Sequence, residues 1–125
     1  MKKNFKSRYF EDYKLNEEIN HSVPRTITDG DVAIYLSTTG SRFPLNYSAE
    51  FSKTLGLKKI PIDDILLFHM VFGRTVPDLS LNAIANLGYA GVKFHKPAFV
   101  GDTLNAVSYT QIRAHETRHD LVLRL

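Results

Sequence analysis

Two adjacent carboxylates followed by an imidazole are the residues of this sequence best suited to proton transfer. Asp63 and Asp64 precede a run of apolar residues, and His69 lies inside that run. A carboxylate whose pKa is raised by burial can act as a general base, and histidine exchanges protons near neutral pH. Residues five apart do not share a helix face, so pairing Asp64 with His69 would need another element. The competing interpretation is that both aspartates cap a helix and that His69 is a hydrogen-bonded core residue.

A second pattern, His-Glu-Thr-Arg-His at residues 115–119, matches the zinc-protease motif H-E-x-x-H. In that motif one helix face presents both histidines to Zn²⁺ and the glutamate acts as general base. Here the segment falls between two strand-like runs, and only six residues follow it, so a hairpin turn is favoured. His21 and His95 lack the spacing of metal ligands. We therefore expect no metal site, and nothing in the sequence calls for a cofactor.

The elements that must position these groups begin with two short helices. Thr28 is placed to cap the first, with Asp31 as its partner three residues on, and Gly40 suits the end of that helix. Ser48 and Gly56 are the corresponding N-terminal cap and closing glycine of the second helix. The Pro-containing loop that joins the two helices, residues 41–47, is the kind of segment on which proteins present functional side chains.

A third helix and several strands complete the predicted fold. Residues 61–73 begin with acidic side chains, end at a glycine and are apolar on nearly every face, which predicts a buried helix of about three turns. One such helix followed by antiparallel strands is typical of an α+β fold with the helix packed on a sheet. Strands are predicted within residues 21–27, 92–95, 103–112 and 121–123.

Bulk properties restrict the class of protein. The 125 residues are enough for a single domain, residues 1–125, and 43% hydrophobic content is that of a globular protein. There is no run of 18 apolar residues and no secretory signal. The absence of cysteine fits a cytoplasmic location. A net charge of +3 is too mild for a nucleic-acid binder, although it suits a phosphate-bearing ligand.

Five stretches, taken in order, resemble the MaoC-like hotdog hydratases. Two further stretches, residues 72–78 and 82–90, are similar to the branch that contains mesaconyl-CoA hydratase (β-methylmalyl-CoA dehydratase). The resemblance runs from Tyr9 to Leu125. It depends on the order and spacing of these stretches more than on any single stretch. The five stretches are Tyr-Phe-Glu-Asp at 9–12, Arg-Thr-Ile-Thr at 25–28, Gly-Ser-Arg-Phe-Pro-Leu at 40–45, Pro-Ile-Asp-Asp-Ile-Leu at 61–66 and Phe-Val-Gly-Asp-Thr-Leu at 99–104.

The resemblance implies a fold, a reaction and a partner. The fold would be a hotdog, in which a strongly bent antiparallel sheet wraps around one long helix. The reaction would add or remove water at the double bond of a short, branched enoyl-CoA. Family members work as dimers or as two fused hotdogs, so the resemblance implies a homodimer or a pairing with a second hotdog domain. It implies neither a nucleic-acid nor a membrane partner.

The sequence departs from this family in its catalytic loop. The family loop reads Gly-Asp-x-Asn-Pro-Leu-His, in which the Asp and the His hold and activate water. Ser41 stands at the Asp position, Phe43 at the Asn position and Asn46 at the His position. Serine and asparagine can hold water by hydrogen bonds, but they cannot exchange its proton near pH 7. If this chain is active, another group must supply the acid–base chemistry.

The start of the third helix also departs from the family. Related enzymes have His-Gly there, and a backbone N–H at that helix end polarises the thioester carbonyl; here the sequence is Asp-Asp-Ile. If this chain is active, the acid–base candidates are Asp64, Asp63 and His69. The candidates for contact with water and substrate are Ser41, Asn46, Ile65 and Asn86.

Three functional hypotheses follow. The first is a MaoC-type hydratase or dehydratase domain. The second is a non-catalytic, acyl-CoA-binding hotdog half that needs a catalytic partner, as in two-hotdog members where one half has lost the catalytic loop. The third is a thioesterase, since the fold alone does not fix function. Because Leu125 falls inside a predicted strand that the family normally continues, the sequence is also expected to be a piece of a longer protein or a shortened domain.

Overall fold

The computed structural model describes residues 7–21 and 24–110. In chain order its elements are β1 (Glu18–Asn20), β2 (Arg25–Thr26), α1 (Asp29–Thr39), α2 (Ala49–Thr54), α3 (Asp64–Leu79), β3 (Thr103–Leu104) and β4 (Val107–Tyr109), with 3₁₀ turns at Phe10–Asp12 and Pro44–Asn46. The chain divides into two compact units. The first unit comprises Met1–Val23, Val71–Lys93 and Asn105–Leu125, and the second unit comprises Pro24–Met70 and Phe94–Leu104.

Both short helices of the second unit confirm the predictions made from their caps. The Thr28 hydroxyl accepts from the Asp31 backbone N–H at 3.3 Å, and the Asp31 carboxylate accepts from the Thr28 backbone N–H at 3.0 Å. Gly40 ends α1 with φ of 64°, a left-handed conformation that glycine adopts without strain. The Ser48 hydroxyl caps α2 by accepting from the Phe51 N–H at 3.2 Å. These helix ends are fixed by local chemistry.

The third helix is longer and less buried than predicted. It continues through Gly73 to Leu79 because the inward positions Leu67, Val71 and Thr75 recur every four residues and stay buried. Pro77 lies near its end, where the missing N–H costs only the bond to the Gly73 carbonyl. The expectation that every face is buried was wrong. Exposed residues line one face at the same interval: Ile65, His69, Gly73 and Pro77.

Strand pairing is antiparallel in both units. In the first unit β1 pairs with β4, so that Ile19 lies opposite Ser108. In the second unit β2 pairs with β3, and the hydroxyls of Thr26 and Thr103 lie 2.8 Å apart. An isolated antiparallel bridge also joins Pro61 to Phe99.

The predicted strands form only in part. Residues 21–27 supply β2 alone, and residues 103–112 supply β3 and β4 as separate pieces. Residues 92–95 have the alternation of a strand but form none, because a strand also needs a partner for its backbone groups. The predicted strand at 121–123 and the motif at 115–119 lie outside the described residues.

The buried residues of the two units differ in character. Among the described residues, the second unit buries mostly apolar side chains together with the polar Asn46 and Ser52, whereas the first unit buries as many polar as apolar side chains. No helix in the described part of the chain is long and apolar enough to cross a membrane. In the second unit the buried apolar residues are Ile27, Ile62, Leu66, Leu67, Phe68, Met70, Ala98 and Leu104; in the first unit Ile19, Val71 and Ala106 are joined by His21, Thr75 and Ser108.

Candidate active site

The loop after α1 meets the start of α3 within the second unit. The Ser41 hydroxyl donates a hydrogen bond to Oδ2 of Asp63 at 2.9 Å. The loop is held in place by its own 3₁₀ turn and by the Ser52 hydroxyl of α2, which donates to the Leu45 carbonyl at 3.0 Å. Ser41 therefore does not stand free to hold water. Its proton is already directed at the carboxylate of Asp63.

Asp63 accepts hydrogen bonds from several elements. Its Oδ1 accepts from the Ile65 backbone N–H at 2.8 Å, so Asp63 caps the helix that begins one residue later. Tyr35 of α1 also faces it: burial raises the pKa of the Tyr35 hydroxyl first, and its charge interaction and hydrogen bond with Asp63 raise it further. We call Ser41, Tyr35, Asp63 and Ile65 the loop–helix cluster. Tyr35 carries no local sequence signal, because only the fold brings α1 to Asp63.

Asp64, beside this cluster, also has a shifted pKa. It is exposed at the first position of α3, and its pKa is raised from the ordinary value of 3.8, first by partial desolvation and then by the neighbouring Asp63 carboxylate. Two adjacent carboxyl groups are thus in different environments: Asp63 accepts hydrogen bonds from Ser41, Tyr35 and the Ile65 N–H, whereas Asp64 is exposed and has a raised pKa. Such a difference is a common way of separating a fixed carboxylate from one that exchanges protons.

Asn46 has a structural contact in addition to its predicted role. The residue is buried, and its amide nitrogen donates to the Pro61 carbonyl at 3.2 Å. Pro61 itself pairs with Phe99. Asn46 therefore anchors the loop to the segment that leads into α3. A histidine at this position would need to replace that bond before it could act on water.

His69 lies further along α3. It is exposed, contrary to the expectation of a core histidine, and its ring centroid lies 5.8 Å from that of Phe68. Five residues of helix place it about 7.5 Å along the axis from Asp64.

Asn86 belongs to the first unit, where its contacts are local. Its amide donates to the Tyr89 hydroxyl at 2.6 Å and its Oδ1 accepts from the Gly88 N–H at 3.0 Å. Those bonds shape a turn.

A second constellation, which the sequence did not indicate, lies in the first unit. His21 Nδ1 is 2.8 Å from Asp78 Oδ2, and His21 Nε2 is 2.8 Å from the Ser108 hydroxyl. In the tautomer that carries its proton on Nδ1, His21 donates to Asp78 and accepts from the Ser108 hydroxyl at Nε2. We call these three residues the histidine chain. The His21 side chain is fully buried, so the imidazole is closed to a substrate, whereas the side chain of Asp78 is 42% exposed. The three groups resemble those of a hydrolase.

Comparison with known proteins identifies relatives that match about 80% of the chain. A β-methylmalyl-CoA dehydratase from Chloroflexus aurantiacus is 58% identical over 100 residues, covering 80% of this chain and 28% of the relative. A mesaconyl-CoA hydratase from Cereibacter sphaeroides is 52% identical over 101 residues, covering 81% and 29%. The chain thus spans less than a third of the length of these relatives.

Solved structures agree with these relatives. A MaoC domain protein from Chloroflexus aurantiacus J-10-fl superposes with a TM-score of 0.80 at 54% identity, covering 87% of this chain and 31% of that one. The structure titled monoamine oxidase regulatory protein from Archaeoglobus fulgius superposes with a TM-score of 0.73 at 28% identity, covering 85% and 72%. The MaoC like domain family matches residues 11–120. This chain therefore belongs to the MaoC-like domain family and has its α+β hotdog fold, as its sequence predicted.

Proposed function

We propose that this domain acts in a hydratase or dehydratase that adds or removes water at the double bond of a short, branched enoyl-CoA. Its support is the aspartate pair at the start of α3, with Asp63 held by hydrogen bonds and Asp64 carrying a raised pKa. The names of the two relatives at 52–58% identity point to mesaconyl-CoA or β-methylmalyl-CoA as the substrate class.

The proposed chemistry gives each carboxyl group one task. In hydration, a water oxygen forms a bond to the β-carbon while its proton passes to the Asp64 carboxylate, and the α-carbon then takes a proton from the resulting acid. A raised pKa makes Asp64 a stronger base than an ordinary aspartate. Asp63, fixed by Ser41 and the helix cap, holds the start of the helix in place. Dehydration follows the same steps in reverse.

A second candidate is favoured by the donors of the same region. Hydration builds negative charge on the thioester oxygen, which needs a hydrogen-bond donor. The Ile65 N–H is directed at Asp63 and the Asn46 amide at Pro61, so both predicted donors are already used. This favours a domain that shapes an acyl-CoA pocket while a second hotdog supplies the catalytic loop.

The test is hydration of mesaconyl-CoA and crotonyl-CoA by the purified chain, measured as loss of enoyl-thioester absorbance. Wild type is run beside Asp64→Asn, which keeps the shape of the side chain but removes its basicity. Activity in wild type that Asp64→Asn abolishes supports the catalytic role. Activity unaffected by Asp64→Asn contradicts it. Release of free CoA without hydration would indicate a thioesterase instead.

The second candidate has its own variant. Asn46→His restores the family's basic residue in the catalytic loop, with Asn46→Gln as a control that restores none. An inactive wild type that gains hydration through Asn46→His, and not through Asn46→Gln, supports a degenerate hotdog half. Binding of mesaconyl-CoA to wild type without turnover, measured by calorimetry, would agree with that result. A wild type that neither binds nor turns over acyl-CoA contradicts both candidates.

Pairing and location form part of the proposal. Pairing with another hotdog domain, as a homodimer or within a longer protein, is supported by relatives more than three times as long as the matched region. A cytoplasmic location is supported by the absence of cysteine from the 125 residues.

A further inference from the structure

The loop that contacts the start of α3 carries an exposed cation. Arg42 directly follows Ser41, whose hydroxyl donates to Asp63, and it is exposed to solvent. Because neighbouring Cα atoms are only about 3.8 Å apart, the Ser41–Asp63 hydrogen bond keeps the backbone of Arg42 close to the aspartate pair. All of these residues belong to the second unit. The long side chain of Arg42 is therefore within reach of a molecule bound at Asp64.

Arg42 has no acidic partner of its own. In the second unit Arg25 is paired with Asp31, and Lys53 is paired with Glu50 at 3.0 Å. The side chain of Arg42 takes part in no ion pair or hydrogen bond with the described residues. An arginine that no protein carboxylate neutralises can bind an anionic group of a ligand, and its planar fork matches a carboxylate through two parallel hydrogen bonds.

The same two segments also expose apolar side chains. Phe43 on the loop is 57% exposed, and Ile65 in the first turn of α3 is 48% exposed. The hydrogen bond between Ser41 and Asp63 joins the loop to the helix start. A ligand site of this kind combines apolar side chains with a small number of polar groups that fix orientation. The combination suits a short acyl chain that ends in an anionic group.

The substrate class of the proposed function has such a group. A mesaconyl group is a branched enoyl chain with a free carboxylate at the end away from its thioester. In the proposed reaction its double bond lies at Asp64, beside the Asp63 carboxylate, so binding adds a negative charge to an acidic region. Like charges at short range oppose binding unless a cation offsets them. A cation is therefore needed near the aspartate pair, and Arg42 is an unpaired one on the contacting loop.

We propose that Arg42 is a specificity-determining residue, whose guanidinium binds the free carboxylate of a mesaconyl-type acyl-CoA while the double bond lies at Asp64. The inference rests on the proposed function, and it adds the residue by which the domain distinguishes a carboxylate-bearing acyl group from a simple branched one. Because two parallel hydrogen bonds fix direction as well as adding affinity, the same contact orients the acyl chain.

Binding of two matched thioesters tests this assignment without requiring turnover. Tigloyl-CoA has a methyl group in place of the mesaconyl carboxylate, so the ratio of the two dissociation constants isolates the effect of the carboxylate. By calorimetry, wild type should bind mesaconyl-CoA about 10- to 100-fold more tightly than tigloyl-CoA, the usual effect of a hydrogen bond to a charged group. A wild type without this preference overturns the proposal.

Arg42→Met removes the charge and keeps much of the length of the side chain. It should abolish the preference by weakening the binding of mesaconyl-CoA, while the dissociation constant of tigloyl-CoA changes by no more than a few-fold. Arg42→Lys, which keeps the charge but loses the planar fork, should retain part of the preference. A preference that survives Arg42→Met, or an equal loss of binding for both thioesters, overturns the proposal.

Lys59→Met is the matched control. Lys59 is also an exposed cation of the second unit, but it precedes Asp63 by four residues, through a segment that pairs with Phe99 at Pro61. Four residues of extended chain span about 13 Å. Lys59→Met should therefore keep the wild-type preference, with circular dichroism confirming that each variant is folded. Equal effects of Lys59→Met and Arg42→Met would indicate general electrostatic attraction and overturn the proposal.

Asp64→Asn separates this inference from the catalytic proposal. The variant keeps Arg42, so it should keep the preference for mesaconyl-CoA even where hydration is lost. A preference that depends on Arg42 in a chain without hydration supports the binding role while the catalytic role fails. Hydration by a wild type whose preference does not depend on Arg42 gives the reverse.

Discussion

The loop–helix cluster and the histidine chain use similar groups but differ in sequence range and in access to solvent. Ser41 and Asp63 are 22 positions apart, whereas His21 is 57 positions from Asp78 and 87 from Ser108. The cluster lies beside an exposed carboxyl group of raised pKa, whereas the His21 imidazole of the histidine chain is fully buried. The comparison teaches that acid–base groups in contact do not make an active site unless a substrate can reach them.

The largest contrast between these regions is expected in the rate of hydration. Asp64→Asn should lower kcat/KM by about 10²–10⁴-fold, the usual contribution of a positioned general base. Asp78→Asn removes a carboxylate of the histidine chain and should change the rate by no more than a few-fold. The measurement is enoyl-thioester absorbance at saturating and limiting substrate. An equal loss in both variants would contradict the assignment of the general base to Asp64.

The second contrast is expected in the free energy of unfolding, where the larger effect should come from the histidine chain. His21→Ala should lower the free energy of unfolding by about 3 kcal/mol, because it leaves a cavity and two polar groups without their buried partner. His95→Ala, at an exposed position, should change it by less than about 0.5 kcal/mol. Urea titration at constant pH measures both. Similar values for the two variants would show that the histidine chain contributes little to the fold.

The pH dependence of hydration should report the raised pKa of Asp64. A general base works only when deprotonated, so kcat/KM should fall about tenfold per pH unit below the pKa of Asp64. Because that pKa is raised, the acid limb should lie above the ordinary aspartate value of 3.8. The folded state holds the Asp64 proton more tightly than the unfolded state, so the contribution of Asp64 to the free energy of unfolding is lost as the pH rises through its raised pKa. A salt-bridged carboxylate, whose pKa is lowered, has the opposite pH dependence. An acid limb at the ordinary value would exclude Asp64 as the base.

Sequence predicted those parts of the fold that depend on neighbouring residues. Thr28, Gly40 and Ser48 set the ends of α1 and α2 through contacts within a few positions, and the structure confirms them. The predicted end of α3 at Gly73 was wrong. A glycine ends a helix only where the run of buried positions also ends, and here buried positions continue to Thr75. The strand at 92–95 failed for a related reason, since pairing depends on a distant partner that residue pattern does not reveal.

In the candidate site, too, the sequence predicted local features and missed contacts between distant residues. Its loop and helix start were predicted from motif order, but the motif could not show that the proton of Ser41 is directed at Asp63 or that the Asn46 amide binds the Pro61 carbonyl. Tyr35 and the histidine chain were missed because their partners come from remote parts of the chain. The roles of Asp63, Asp64, His69 and Asn86 in binding or catalysis stay predictions.

The smallest expected effect compares two serines, Ser41 and Ser108, which are hydrogen-bonded to Asp63 and to His21 respectively. Ser41→Ala removes one of several hydrogen bonds to Asp63, a partly exposed carboxylate that water can also reach, so we expect a loss of about 0.5–1 kcal/mol in the free energy of unfolding. Ser108→Ala leaves the buried His21 Nε2 without its hydrogen-bond partner, which costs about 1–3 kcal/mol. Urea titration of both variants measures the difference, with Ser37→Ala on exposed α1 as the reference. If Ser41→Ala proves the more costly, the Ser41–Asp63 bond holds the start of α3 more firmly than the helix cap does, and the loop–helix cluster is a structural centre in its own right.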